Sequence, residues 1–204
     1  MANLSPRLAL IAGAVSLALS AAAPAEDLVS GASARMLSET CAGCHGTDGA
    51  SVGPAAPSIG GMNGEYFVEV MQGFKEDEIY GTIMNRNAKG YTDEEIALMG
   101  TFFAGQEFKH AEQDYDEGLA KVGAKLHDKY CEKCHAEGGK VLEDEEYYIL
   151  AGQWTPYLQN ALADFREERR EMPKKMRKQL EKMIEKEGDK GIDALMAYYA
   201  SQQQ

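Results

Sequence analysis

The sequence predicts an all-α protein built from two tandem copies of one small helical unit. Three observations support this fold class. A Cys-x-x-Cys-His motif begins at Cys41 and recurs at Cys131, ninety residues later. Apolar residues in both halves recur at helical spacing, and neither half alternates as a strand does. Other segments repeat at nearly the same offset, which internal duplication explains better than chance.

The repeat extends well beyond the cysteines. The matching segments are 59–75 with 150–166 at an offset of 91, and 96–106 with 192–202 at an offset of 96. The second copy therefore carries about five extra residues late in the unit. We expect domains at 26–108 and 109–204, joined by a polar linker near 106–117.

Helices are expected over 32–40 and 117–130, each leading into one motif, and over Gly64–Phe74 with one apolar face. The partner of this last helix is expected to begin with Thr155 as N-cap and Pro156 at the first helical position.

The last helix of each unit also has boundary signals. Thr92 and Glu95 form a predicted capping box at the start of the last helix of the first unit. The final helix of the chain is expected to start near Asp189, because Gly188 is suited to end the preceding helix.

The Cys-x-x-Cys-His motif is typical of covalent haem attachment. Two thiols on one helical turn can each add to a vinyl group of a haem, and the following histidine then presents a ring nitrogen to the iron. The sequence thus predicts two covalent haem c groups, with Cys41, Cys44, Cys131 and Cys134 forming the thioethers and His45 and His135 as axial ligands. The alternatives are a zinc site, which needs no fixed adjacent histidine, and a redox dithiol, which needs a strand–helix context.

Composition narrows the choice of function. The 204 residues suffice for one or two small domains, and the two motifs contain all four cysteines, so none is left for a disulfide framework. The formal net charge of −12 argues against nucleic acid as a partner. It also argues against peripheral binding to anionic membranes.

Residues 1–25 have the features of a secretory signal peptide. Arg7 supplies the charge, the apolar run 8–19 is too short to span a bilayer comfortably, and a small-residue cleavage site ends at Ala25. A retained N-terminal anchor is the alternative. We expect a mature chain that begins at Glu26 and lies in the periplasm without membrane insertion.

A methionine would close the sixth position of each iron and raise its reduction potential. In the first unit Met84, in an expected loop, is preferred to Met99, which lies within a helix and is assigned to the core. In the second unit Met176 fits the spacing of the repeat best, and Met172 remains an alternative to it. Met183 lies too far along the chain.

Each axial histidine also needs a hydrogen-bond partner for its other ring nitrogen, usually a backbone carbonyl. Pro57 is expected to supply it in the first unit, whereas Tyr148 stands at the equivalent position of the second. His110 and His127 are interpreted as ordinary surface or packing histidines.

Four segments carry a resemblance to a known family: 41–49, Ser51–Pro54, 123–135 and 149–170. The chain resembles the dihaem cytochrome c subunit of flavocytochrome c sulfide dehydrogenase, a member of the class I, c4-like dihaem cytochromes. The resemblance covers essentially the whole mature chain, and the segments around Gln153-Trp154 and 166–170 favour the sulfide dehydrogenase subunit. It implies two tandem class I cytochrome c domains.

The resemblance also implies partners. A separate FAD-containing subunit would oxidise sulfide and pass electrons singly to this chain, which would pass them to a soluble acceptor cytochrome. The chain itself has no Gly-rich dinucleotide motif and no spare cysteine, so it is expected to be a non-catalytic conduit. A free c4-like shuttle to a terminal oxidase and a dihaem peroxidase are the alternatives, and methionine at both irons would disfavour the peroxidase.

A basic cluster flanks Met176: Arg166, Arg169, Arg170, Lys174, Lys175, Arg177 and Lys178. It could dock a partner or neutralise haem propionates. It could equally be a set of solvated helix faces with local ion pairs.

Overall fold

Helices make up most of the chain in a computed structural model that describes residues 28–29, 31–140 and 148–203. The predicted signal segment 1–25 lies outside these residues. The described helices are α1 (Ala34–Glu39), α2 (Ala42–His45), α3 (Gly64–Lys75), α4 (Met84–Ala88), α5 (Asp93–Ala104), α6 (Glu117–Tyr130), α7 (Ala136–Gly139), α8 (Thr155–Arg166), α9 (Lys174–Glu187) and α10 (Lys190–Ser201).

The described residues also contain a 3₁₀ turn at Thr47–Gly49 and two short strands, Leu28–Val29 and Ala32–Ser33. The strands pair antiparallel, with Leu28 opposite Ser33 and Val29 opposite Ala32. The sequence did not indicate these strands, but with two residues each they leave the predicted all-α class confirmed. None of the helices described here is both long and apolar enough to cross a bilayer.

Most of the predicted helix ends are confirmed. The Thr92–Glu95 capping box has both of its hydrogen bonds, at 3.2 and 2.8 Å. Gly188 ends α9 with φ of 68°, and Asp189 occupies the N-cap position of α10. The prediction for α8 was wrong by one residue, because Trp154 is the N-cap and Thr155 is already helical.

Met84, which was expected in a loop, lies in a helix, and so does Met176. Met84 is the first residue of the short helix α4. Met176 lies in the first turn of α9, a 14-residue helix. The sequence predicts that a helix ends at Gly188, but not that it begins as early as Lys174. Charged residues occupy most of its surface, so only Met183 is fully buried and the apolar spacing that signals a helix is faint.

Each half has its own hydrophobic core. The first core contains Leu37, Ile59, Met62, Phe67, Val70, Met71, Phe74, Ala88, Ile96, Met99 and Phe103. The second core contains Leu126, Tyr130, Leu158, Met183, Ile192, Ala194, Leu195, Met196 and Tyr199. Met99 is fully buried, as expected of a core residue.

The two halves repeat one pattern of backbone hydrogen bonds. The Gly49 carbonyl accepts from the amides of Ile59 and Gly60 at 2.8 and 3.2 Å. In the second half the Gly139 carbonyl accepts from the amides of the corresponding residues, Leu150 and Ala151, at 3.0 and 2.9 Å. Both glycines have positive φ, of 79° and 82°, which glycine adopts without a steric penalty. The loop after each motif is therefore held to the same later segment.

That later segment is held in turn to the last helix of its half. Gly61 donates to the Phe103 carbonyl of α5, and Gly152 donates to the Tyr199 carbonyl of α10, both at 2.8 Å. The motif loop, the glycine segment and the last helix thus form one connected backbone network in each half.

The halves meet in a junction of polar and aromatic contacts. Gln153 and Ser58 exchange two hydrogen bonds, and the Trp154 indole donates to the Ser51 carbonyl at 3.1 Å. The Arg170 guanidinium donates to the Tyr80 carbonyl at 2.7 Å. Tyr66 and Tyr148 pack edge to face, with ring centroids 5.1 Å apart.

Helices α6 and α10 cross closely at Gly123. A Cβ added there would collide with the Ala194 carbonyl oxygen and would lie 2.8 Å from the Tyr198 Cβ. We expect Gly123→Ala to lower the free energy of unfolding by about 1–3 kcal/mol, because two packed backbones must separate. Guanidinium denaturation of the haem-loaded protein measures this.

Gly118→Ala is the matched control on the same helix. Its added Cβ would meet only Asp116 Oδ1, at 3.1 Å, and this N-cap oxygen needs to move by only a few tenths of an ångström while it keeps its bond to Leu119, so we expect a change within about 0.5 kcal/mol. Equal unfolding midpoints for the two variants would contradict the close crossing.

Candidate haem sites

The first Cys-x-x-Cys-His motif forms a single helical turn. Cys41 is the N-cap residue of α2, and its carbonyl accepts from the His45 amide at 2.9 Å. Both thiols are free of disulfides, with Cys41 half-buried and Cys44 exposed. Cys41 packs against the first core, so the motif lies at the edge of an apolar interior.

The His45 imidazole is fixed by the backbone carbonyl that the sequence predicted. Its Nδ1 lies 2.8 Å from the Pro57 oxygen, and because a carbonyl can only accept, Nδ1–H is the donor. Burial lowers the pKa of His45, and the bond to Pro57 opposes this only in part. The ring is therefore neutral at pH 7 and leaves Nε2 unprotonated, as a metal ligand requires.

The second motif has similar electrostatics. Burial lowers the pKa of His135 to about 4, with a further contribution from nearby His127. Burial also raises the pKa of the Cys131 thiol to about 11, and the pKa of Cys41 is raised for the same reason. Thiols with raised pKa values are poor thiolate ligands and weak nucleophiles, which disfavours the zinc and dithiol alternatives.

His127 is a buried packing residue with a full set of partners. It is 1% exposed, and its Nε2 lies 2.7 Å from a Glu132 carboxylate oxygen and 2.9 Å from the His135 carbonyl. Its Nδ1 lies 2.9 Å from the Tyr199 hydroxyl. His127 therefore connects α10 to the backbone of the second motif, a role that a lone histidine in the sequence does not reveal.

Met84 begins α4, half-buried against the first core. The adjacent Asn85 holds the preceding loop, because its side-chain amide donates to the carbonyls of Phe74 and Ile79 and accepts from the Gly81 amide. These three bonds, at 3.1, 2.8 and 2.8 Å, fix the segment that carries Met84.

The equivalent loop of the second half carries both candidate methionines. Asp77 and Glu168 mark corresponding points after α3 and α8, because both have positive φ, of 60° and 58°. Met84 follows Asp77 by seven residues, and Met176 follows Glu168 by eight. Met176 thus shares with Met84 a place in the first turn of a helix, whereas Met172 lies before α9 and is 5% exposed.

The residues present fit a haem in each half. A thiol pair and a neutral imidazole lie beside an apolar core, and in the first half that core also contacts Met84. Close to the two motifs, the hydroxyls of Ser38 and Tyr130 are buried, and neither has a hydrogen-bond partner in the described part of the chain. The same part of the chain holds no group of three or more His, Cys, Asp or Glu side chains placed to hold a metal ion.

Comparison with known proteins identifies the relatives. The chain is 46% identical over 83 residues to the cytochrome subunit of sulfide dehydrogenase from Chlorobaculum tepidum, which covers 41% of this chain and 74% of the relative. It is 28% identical over 137 residues to cytochrome c4 of Pseudomonas aeruginosa, covering 64% of this chain and 68% of the relative. No protein-family model matches the chain.

The fold has a counterpart among solved structures. The crystal structure of reduced recombinant cytochrome c4 from Pseudomonas stutzeri superposes with a TM-score of 0.67 at 24% identity. The match covers 83% of this chain and 96% of that one.

Tandem helical units, each with a Cys-x-x-Cys-His motif at the edge of its core, define a dihaem c-type cytochrome, a class of electron-transfer proteins. Within this class, the chain belongs to the family of cytochrome subunits of sulfide dehydrogenase and is related to the c4 cytochromes.

We expect His127→Leu to lower the free energy of unfolding by about 2–4 kcal/mol, because it removes three hydrogen-bond contacts of a buried side chain and leaves their polar partners unpaired. His110→Leu is the control, since half-buried His110 makes one such bond, to the Gln202 carbonyl at 2.7 Å. Its cost should be about 1 kcal/mol. Guanidinium denaturation of both variants measures these losses, and equal losses of unfolding free energy would contradict the hydrogen-bond network assigned to His127.

Proposed function

We propose that the chain accepts electrons from a FAD-containing sulfide dehydrogenase subunit and passes them to a soluble acceptor cytochrome. The observation that carries this proposal is the 46% identity to a sulfide dehydrogenase cytochrome subunit, together with two haem-attachment motifs in one chain. The chain would be the non-catalytic, electron-transferring subunit of the complex. A bound haem would supply one-electron chemistry by cycling its iron between the ferrous and ferric states.

The proposed covalent ligands are Cys41, Cys44, Cys131 and Cys134, and the proposed axial ligands are His45, His135, Met84 and Met176. The chain's own contribution is to orient the imidazoles and to keep water away from the iron. Support comes from the Pro57 bond to His45 and from the apolar cores beside both motifs. Low-polarity surroundings and a thioether ligand both favour the ferrous state.

We place the two units at 26–108 and 109–204. The packing of the linker supports this boundary, because Phe108 lies against Gly61 of the first half, whereas the Ala111 amide donates to the Gly152 carbonyl of the second, at 2.7 Å. We also place the mature protein in the periplasm, after removal of the signal segment 1–25. The composition of that segment supports export.

A free dihaem shuttle is the second candidate function. The similarity to cytochrome c4 favours it, because that match runs over 137 residues and thus over more of the chain than the sulfide dehydrogenase match. The two functions share haem chemistry and differ in whether a flavoprotein is bound.

Purification from the native host separates the two. We expect a complex with a flavoprotein, two haems for each flavin, and haem reduction on addition of sulfide. Acidified acetone should leave the haem on the chain, because thioether bonds survive extraction. A stable haem-only monomer that sulfide does not reduce would favour the free shuttle.

The choice between Met176 and Met172 has its own test. We expect Met176→Ala to open one iron to external ligands, so that cyanide or carbon monoxide binds rapidly to one of the two haems. Met172→Ala should leave both irons closed and reduce stability by about 2–5 kcal/mol, as for a buried methionine. The reverse pattern in the ligand-binding spectra would assign Met172 as the sixth ligand.

A further inference from the structure

One peptide group in the first half is bonded at both of its polar ends. The oxygen of the Pro57–Ser58 peptide accepts from His45 Nδ1 at 2.8 Å. The nitrogen of the same peptide, the Ser58 amide, donates to the Gln153 side-chain oxygen at 2.9 Å. A continuous chain of hydrogen bonds therefore runs from Gln153, in the second half, to His45, in the first.

The Gln153 side chain is held in this position by its surroundings. It is 2% exposed, Ser58 is 1% exposed, and the Gln153 amide nitrogen donates to the Ser58 carbonyl at 2.9 Å. The Trp154 amide also donates to the Gln153 side-chain oxygen, at 3.2 Å. Because the Ser58 amide only donates and its carbonyl only accepts, the orientation of the glutamine amide is fixed.

We propose that Gln153 is a positioning residue for the first haem, which acts through the Pro57–Ser58 peptide on His45 and lowers the reduction potential of that haem. This inference rests on the proposed function, in which His45 binds the iron. A peptide whose N–H is bonded is a better acceptor at its oxygen, because hydrogen bonds in a chain polarise one another. A stronger acceptor at Nδ1 makes the imidazole a better electron donor, which favours ferric iron.

The equivalent position of the first half does not hold a glutamine. The Gly61 and Gly152 correspondence places Met62 where the second half has Gln153. Met62 is a buried residue of the first core, and its thioether sulfur is only a weak acceptor, whereas Gln153 acts here by accepting a hydrogen bond through its side-chain oxygen. At this position the influence therefore runs from the second half to the first haem only.

The test is a spectroelectrochemical titration of the haem-loaded protein and of a Gln153→Leu variant. We expect the midpoint potential of one haem to rise and that of the other to stay unchanged. The signals of the first haem are identified by a Met84→Ala variant. Trp154→Phe is the matched control, since it removes the indole bond to Ser51 at the same junction without touching Ser58, and should leave both potentials in place.

Three outcomes would overturn the inference: no shift in the first haem, equal shifts in both haems, or the same shift in the Trp154→Phe control. Failure of wild-type protein to bind two haems would overturn the proposed function itself, and this inference with it.

A second measurement covers the case in which Gln153→Leu does not fold. In wild-type protein the Ser58 amide should exchange with deuterium at least about tenfold more slowly than the amide of Val52, an 88% exposed residue of the same loop. Equal exchange rates would show that the Ser58 bond to Gln153 is not maintained, and would contradict the inference.

Discussion

The structure depends on keeping each Cys-x-x-Cys-His motif in register with the last helix of its half. A motif of five residues has too few contacts to hold its own orientation. The Gly49 and Gly139 carbonyls hold each motif in place, because they accept hydrogen bonds from the later glycine segment of their half. That segment in turn donates to the last helix through Gly61 or Gly152. Apolar packing then fills the space around this backbone network, and the two cores occupy corresponding places in the halves.

On this common backbone the two halves differ in the polar groups that support the motif. Leu37 in the first half corresponds to His127 in the second, and only the histidine can bind the backbone of its motif. Pro57 holds His45 and is itself bonded to Gln153 through the shared peptide. Because such bonds tune the ligand, duplication of the fold does not imply equal reduction potentials.

Much of this architecture was predictable, because the strongest signals were local or repeated. The helix class, the capping box at Thr92 and the Pro57 carbonyl followed from spacing and motif alone. A helix ending at Gly188 was expected, but its start at Lys174 was not, because α9 buries only a narrow face. A glutamine such as Gln153 has no sequence feature that marks a contact to Ser58, 95 residues away. Contacts between the halves depend on their relative placement, which no local pattern encodes.

Several arginines of the basic cluster near α9 are paired or packed within the protein. Arg166, Arg169 and Arg177 each pair with an acidic residue of the same half: Asp189, Asp164 and Glu168, respectively. The pairs of Arg166 and Arg177 are exposed and contribute little stability, whereas the Asp164 side chain in the Arg169 pair is 15% exposed. Arg169 and Arg170 also contact the other half. Arg169 lies over the Tyr80 ring, and Arg170, whose side chain is 10% exposed, lies over the Phe74 ring and donates to the Tyr80 carbonyl. Part of the basic cluster therefore holds the two units together, and fewer of its positive charges are free to bind an acidic partner than the sequence suggests.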